Sequence, residues 1–197
     1  MVNVSAHSPE ERLDDLQAIR RLKSGDIGGL EYLVARYQQK AVRTAYLITH
    51  DEQLAEDVAQ DTFLRLYQRI RQFDETRPFG PYLLRSVANA ALNASQKTTR
   101  WVQIGAGGSI EIVEELLVEA ASVEDQVEYA HLKQAIDKAL AALPPRQRAV
   151  IVQRYYLGMS EQEMAENLTA APGTIKWLLN TARQRLRALL DPERSSK

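Results

Sequence analysis

Gly158-Met-Ser-Glu-Gln-Glu-Met-Ala-Glu-Asn-Leu168, then Gly173-Thr-Ile-Lys-Trp-Leu-Leu179 and on to Arg183, Arg185 and Arg187, has the spacing of a helix-turn-helix. Ser160 with Glu163 three residues later is a capping box, so a helix starts there, and Met164, Ala165 and Leu168 give it an apolar face. Leu168-Thr-Ala-Ala171 makes the turn. Pro172 brings a fixed φ suited to the first position of a second helix, where its missing N–H costs nothing. From there Ile175, Leu178, Leu179, Ala182, Leu186, Leu189 and Leu190 recur at helical spacing and predict one buried side. Lys176, Arg183 and Arg187 fall on or near the other side, where a recognition helix meets phosphates and base edges. The spacing therefore predicts duplex DNA as a ligand; the plainer alternative is an ordinary helical hairpin.

A chain of 197 residues is long for one small helical domain and comfortable for two. It has no cysteine, which excludes a disulfide frame and a thiolate metal site. His7, His50 and His131 have no ligand-like spacing, so neither a metal nor a cofactor is expected. No apolar run approaches the roughly 18–20 residues that a bilayer span needs, and the N-terminus lacks a signal-peptide core. A soluble cytoplasmic protein without membrane insertion is the expectation.

The net charge of −1 hides a segregation. Residues 103–128 hold seven acidic and no basic residues, whereas residues 129–197 hold eleven basic against six acidic ones. A near-neutral total argues against coating DNA nonspecifically by counterion release. It allows local DNA contact that depends on a partner for affinity, with the basic C-terminal block as the DNA-facing part.

Almost everything else reads as helix. Glu10–Lys23 is amphipathic through Leu13, Leu16, Ile19 and Leu22; Ser24-Gly-Asp26 breaks it, and Ile27 to about Thr49 resumes. Asp51 caps a third helix to about Arg71, with Val58, Leu66, Ile70, Phe63 and Tyr67 expected in the core. Gln72–Gly80 is a loop, and Pro81 can open a fourth helix to about Lys97. These four predict a compact bundle. Trp101–Val123 reads as a linker, followed by helices at about Val127–Ala142 and Pro145–Leu157 around the Leu143-Pro-Pro145 corner. Val102-Gln-Ile-Gly-Ala-Gly-Gly108 invites a phosphate-loop reading, but no Lys-Ser/Thr follows it and no βαβ pattern surrounds it.

Leu54-Ala-Glu-Asp-Val-Ala-Gln-Asp-Thr-Phe-Leu-Arg-Leu-Tyr67 and Phe79-Gly-Pro-Tyr-Leu-Leu-Arg-Ser-Val-Ala-Asn89 resemble region 2 of a bacterial sigma factor. Leu143-Pro-Pro-Arg-Gln-Arg148 and Gly173-Thr-Ile-Lys176 resemble region 4 of the same family, and the chain is similar to its extracytoplasmic-function (ECF) class. The resemblance implies an all-α protein of two helical domains: a four-helix region 2 bundle over 8–100 and a helix-turn-helix region 4 over 125–190, joined by an acidic linker over 101–124. It implies a transcription initiation factor that binds core RNA polymerase, recognises −10 and −35 promoter elements and promotes melting. Its partners would be the largest-subunit clamp, the flap of the second-largest subunit, promoter DNA and an anti-sigma factor. No catalytic residues are expected.

On the third helix Glu56, Asp57, Gln60 and Asp61 fall at i, i+1, i+4 and i+5 and form one polar patch. Alone this reads as a solvated face. The resemblance makes it the patch that docks on the polymerase clamp, where carboxylates meeting basic side chains give orientation and on-rate more than bulk affinity. For the −10 element, Phe73, Phe79 and Tyr82 offer π-faces for flipped bases and Asn89 a base-edge donor and acceptor. Arg85, Asn89, Asn93 and Lys97 share one i+4 row. The alternative is that the three aromatics plug the end of the bundle. Tyr82 stands where the family usually has tryptophan, and Asn93 where an acidic residue is common.

For the −35 element the resemblance carries over Lys176, Trp177, Asn180 and Thr181, with Arg183 or Arg187 on the backbone. Leu178 and Thr181 stand where arginines are usual, and Ala171 where a capping serine is common. Trp177 fits either a thymine methyl or an apolar protein contact. Two other functions stay open at this point: a helix-turn-helix regulator that never engages core polymerase, and a sigma-like adaptor that binds an anti-sigma factor by protein contacts alone. The acidic linker either threads into polymerase channels, as the resemblance implies, or is a solvated tether.

Overall fold

The structure, a computed structural model, describes the backbone of residues 9–99 and 123–190 and the side chains of 14–97 and 131–190. Alternating caps and breakers set its element order. Helix α1 (Pro9–Lys23) ends at a turn in which Asp26 accepts from the Gly28 N–H at 2.9 Å and from Arg21 Nε at 2.7 Å. Helix α2 (Gly28–Thr49) then runs back along α1 so closely that a Cβ on Gly29 would lie 2.2 Å from the Ala18 carbonyl oxygen. His50 ends α2 in the left-handed region at φ 55°, its N–H reaching the Tyr46 carbonyl at 2.7 Å. Asp51 caps α3 (Glu52–Arg69) by accepting from the Leu54 N–H at 3.0 Å, which satisfies one of the first-turn donors.

A 3₁₀ turn, Ile70–Gln72, closes α3. The loop after it is tied to α1: Glu75 accepts from Arg20 Nε and Lys23 Nζ, both at 2.9 Å, and Lys23 also donates to the Phe73 carbonyl. Helix α4 (Phe79–Thr99) completes the bundle. It starts two residues before Pro81, which sits within the first turn, where no helical N–H is required. Ala41, Ala45, Ile48, Ala55, Ala59, Leu83, Val87 and Ala91 are buried between the helices, small residues alternating with branched ones.

The second unit comprises α5 (Val123–Ala141), α6 (Pro145–Ile151), a π-helical turn (Val152–Tyr156), α7 (Glu161–Asn167) and α8 (Pro172–Leu190). Helix α5 begins earlier than the expected Val127, and the helix expected over Pro145–Leu157 changes to π geometry at Val152. The Leu143-Pro-Pro145 corner leaves carbonyls without helical partners, and buried Arg148 meets them, donating Nη2 to Leu143 O at 3.0 Å and Ala141 O at 3.3 Å. Helix α6 packs against α2 and α4, joining the two units. His50 Nε2 lies 3.6 Å from Asp137 Oδ2 of α5 at this junction, and the Arg43 guanidinium lies over the Tyr156 ring. Burial and the Asp137 charge push the Tyr46 hydroxyl there up to about 12. The linker expected over 101–124 lies outside the described residues except for the start of α5.

Three expectations for the core need correction. Tyr67, 41 % exposed, lies outside the buried face of α3, which runs through Ala55, Val58, Ala59, Thr62 and Phe63 and continues into Ile70 of the 3₁₀ turn. Leu189 and Leu190 are exposed at the end of α8, where no described helix covers them.

Candidate nucleic-acid interface

Glu56, Asp57, Gln60 and Asp61 are all exposed on α3, while Ala55, Val58, Ala59 and Thr62 between them are buried. The three carboxylates form no ion pair among the described residues; Asp57 accepts only a long contact from Gln53, at 3.4 Å. Exposed Leu64 and Tyr67 continue this surface one turn further. The result is an acidic face with apolar residues beside it, open to a basic partner.

The aromatic group at the start of α4 departs from the expectation. Phe73 and Phe79 are buried, 8 % and 4 % exposed, and offer no open ring face. Their centroids lie 5.7 Å apart, Tyr37 packs on Phe79 at 5.7 Å, and Tyr82 packs on Phe73 at 5.1 Å. Phe73 and Phe79 thus plug the end of the bundle, where hydrophobic burial outweighs leaving aromatic surface in water. Tyr82 is the ring that reaches the surface, held from behind by Phe73.

The row Arg85, Asn89, Asn93 and Lys97 lies on one side of α4, and its first two members face α7. Arg85 Nη2 donates to Glu163 Oε1. Asn89 Nδ2 donates to Asn167 Oδ1 at 2.8 Å and to its backbone carbonyl at 3.0 Å, and Asn167 Nδ2 returns a bond to Asn89 Oδ1 at 2.9 Å. Glu163 is also the capping-box residue: Oε2 accepts from Ser160 N and Oγ at 2.9 Å, and Ser160 Oγ accepts from the Glu163 N–H at 3.2 Å. The Ser160 N–H, with the Ser160 hydroxyl and Arg85 adding to it, holds the Glu163 carboxyl below its ordinary range against the opposing effect of burial. Beside the clasp lies a cleft of about 300 Å³ between α4 and the helix-turn-helix, lined among others by Asn93, Gln96, Arg146 and Leu178. Leu178 is buried against this cleft, which accounts for an apolar residue at that position of α8.

The outer strip of α8 is open. Lys176, Trp177 and Asn180 are exposed, Trp177 by 61 %, while Ile175, Leu179 and Ala182 are fully buried. Thr181 spends its hydroxyl proton on the Trp177 carbonyl at 3.0 Å. Arg187 is exposed, and Arg183 is half-buried because it leans on Tyr155, whose hydroxyl accepts from Arg183 Nε at 2.8 Å. Tyr155 is a contributor that periodicity did not reveal, because the π turn shifts the register that would have placed it. No group of side chains able to hold a metal occurs among the described residues.

Comparison with known proteins fits this geometry. Residues 33–101 match Sigma-70 region 2 and residues 133–186 match Sigma-70 region 4. The chain is 32 % identical over 149 residues to the ECF RNA polymerase sigma factor SigL of Mycobacterium tuberculosis, covering 75 % of this chain and 81 % of that protein. It is 28 % identical over 176 residues to the ECF RNA polymerase sigma factor SigW of Bacillus subtilis, covering 87 % and 94 %. Among solved structures it is similar to CnrH in complex with the cytosolic domain of CnrY, at 25 % identity and a TM-score of 0.57, covering 91 % of this chain and 98 % of that one. The chain belongs to the ECF class of RNA polymerase sigma factors.

Proposed function

We propose that this sigma factor binds core RNA polymerase through Glu56, Asp57, Gln60 and Asp61, reads the −35 element with the outer strip of α8, and opens the −10 element with Tyr82 and the polar row of α4. The observation that carries the first step is the α3 face itself: carboxylates in solvent, without counter-ions among the described residues, on a helix whose other side is core. Such a face is poised for a basic partner and contributes orientation and encounter rate. Lys176, Asn180 and Arg187, exposed on α8, suit a major groove, with Arg183 supplying a backbone contact.

For the −10 element the reading rests on Tyr82, Arg85, Asn89, Asn93 and Lys97, with Phe73 and Phe79 as the support behind Tyr82. Arg85 and Asn89 are engaged by Glu163 and Asn167, so they meet DNA only after α4 and α7 part. The protein is a cytoplasmic, non-enzymatic factor: it catalyses no covalent reaction and supplies binding energy for strand separation. Among the described residues no helix is long and apolar enough to cross a membrane. An anti-sigma factor is a further partner, a reading supported by CnrH, which was solved in complex with the cytosolic domain of another protein.

Titrating labelled full-length chain with core polymerase tests this reading. Saturable binding is expected; its absence would leave a helix-turn-helix regulator that works without polymerase.

A further inference from the structure

Tyr155, Arg183 and Asn180 form a chain of contacts on the outer surface of the helix-turn-helix. Tyr155 belongs to the π-helical turn, closed by the Leu157 N–H on Val152 O and the Met159 N–H on Gln153 O, both at 3.0 Å. The wider turn leaves Gln153 fully buried and Tyr155 61 % exposed. The Tyr155 hydroxyl accepts from Arg183 Nε at 2.8 Å, and the guanidinium carbon lies 5.8 Å from the ring centroid, within cation–π range. Arg183 Nη1 in turn donates to the Asn180 side chain at 3.3 Å. Arginine only donates, so the atom it meets must be the amide oxygen, and the Asn180 NH₂ group is turned the other way.

This arrangement has a consequence for base reading. An asparagine that pairs bidentately with adenine must accept from N6–H with its oxygen while donating to N7. A guanidinium already on that oxygen competes with the incoming N6–H, and it polarises the amide into a stronger donor. The guanine edge presents two acceptors, O6 and N7, and asks nothing of the oxygen.

We propose that Tyr155 is a positioning residue for promoter specificity: by holding Arg183 on the Asn180 oxygen, it makes Asn180 a donor that prefers guanine to adenine. This rests on the reading of α8 as the −35 recognition helix.

The test uses holoenzyme reconstituted from core polymerase and the full chain, bound to duplexes randomised across the −35 element. Asn180→Ala is expected to flatten base preference at one position. Tyr155→Phe keeps the ring and removes the acceptor for Nε. It is expected to lower the guanine-over-adenine preference at that same position about fivefold or more, leaving the other positions and the Tm unchanged. In the Asn180→Ala background Tyr155→Phe should change nothing further. If Asn180→Ala alters a position and Tyr155→Phe leaves it as in the parent, the relay is wrong and the −35 reading stands. If Asn180→Ala alters no position, the strip does not read the −35 element, and both inferences fall.

Discussion

Asn89 of α4 and Asn167 at the end of α7 exchange side-chain amide hydrogen bonds at 2.8 and 2.9 Å, 78 residues apart in sequence. An amide pair is self-complementary, one donor and one acceptor on each side, so it holds two helices together without burying charge. Through it, a residue proposed to read unpaired promoter DNA is occupied by the domain proposed to read the upstream element.

Removing the partner should therefore release the reader. Asn167→Ala is expected to raise the affinity of free chain for single-stranded −10 oligonucleotide roughly fivefold or more, since each lost hydrogen bond is worth about 1 kcal/mol. Fluorescence anisotropy with the labelled oligonucleotide measures this. Equal affinities in parent and variant would show that the clasp does not cover the site.

Glu163 joins two tasks, capping α7 and pairing with Arg85, and pH separates them. Its carboxyl is held below the ordinary range, chiefly by the Ser160 N–H. A depressed acid stabilises fully above its unfolded pKa of about 4.3, and that stabilisation is lost as pH falls through the lower folded value. Melting curves should show the parent losing more Tm than Glu163→Gln below about pH 4.3, because glutamine still closes the capping box but carries no titrating charge. Parallel losses in both proteins would contradict this.

The clamp face makes a different demand, because it is exposed and its loss should not touch the fold. Asp61→Lys is expected to weaken core-polymerase binding tenfold or so, by placing a cation where a basic partner docks. Circular dichroism and Tm should stay with the parent. Undiminished binding in a co-purification titration would move docking elsewhere on the molecule.

Gly29→Ala probes the packing of α1 on α2. The added methyl would meet the Ala18 carbonyl at 2.2 Å and Leu22 Cγ at 3.0 Å, and a backbone carbonyl cannot swing aside. Overpacking of this kind costs about 1–3 kcal/mol. Urea unfolding monitored by circular dichroism should show the loss, and an unchanged midpoint would mean that α1 is free to shift.

Local chemistry was the legible part. Asp51 and Ser160 announce helix starts because a cap is made within three residues, and Pro172 opens α8 because its fixed φ and missing N–H suit the first helical position. The four-helix bundle and the helix-turn-helix follow from apolar periodicity, and the acidic face of α3 from its complement. Contacts made across the chain were not legible: nothing near Asn89 announces Asn167, and nothing near Arg85 announces Glu163. Tyr155 stayed hidden because a π turn breaks the period from which its direction would be read. Phe73 and Phe79 were ambiguous in kind, since a base pocket and a bundle plug call for the same side chains; burial decides for the plug.

Run-off transcription with purified core polymerase, the full chain and a library of genomic fragments, with transcript 5′ ends sequenced, tests the central claim most directly. The expected result is a set of starts that appear only with the chain and share two upstream motifs at the −35 and −10 positions. Asp61→Lys should reduce all of these starts together. Binding to core polymerase without any chain-dependent start, or starts with no shared upstream motif, would contradict a promoter-reading initiation factor.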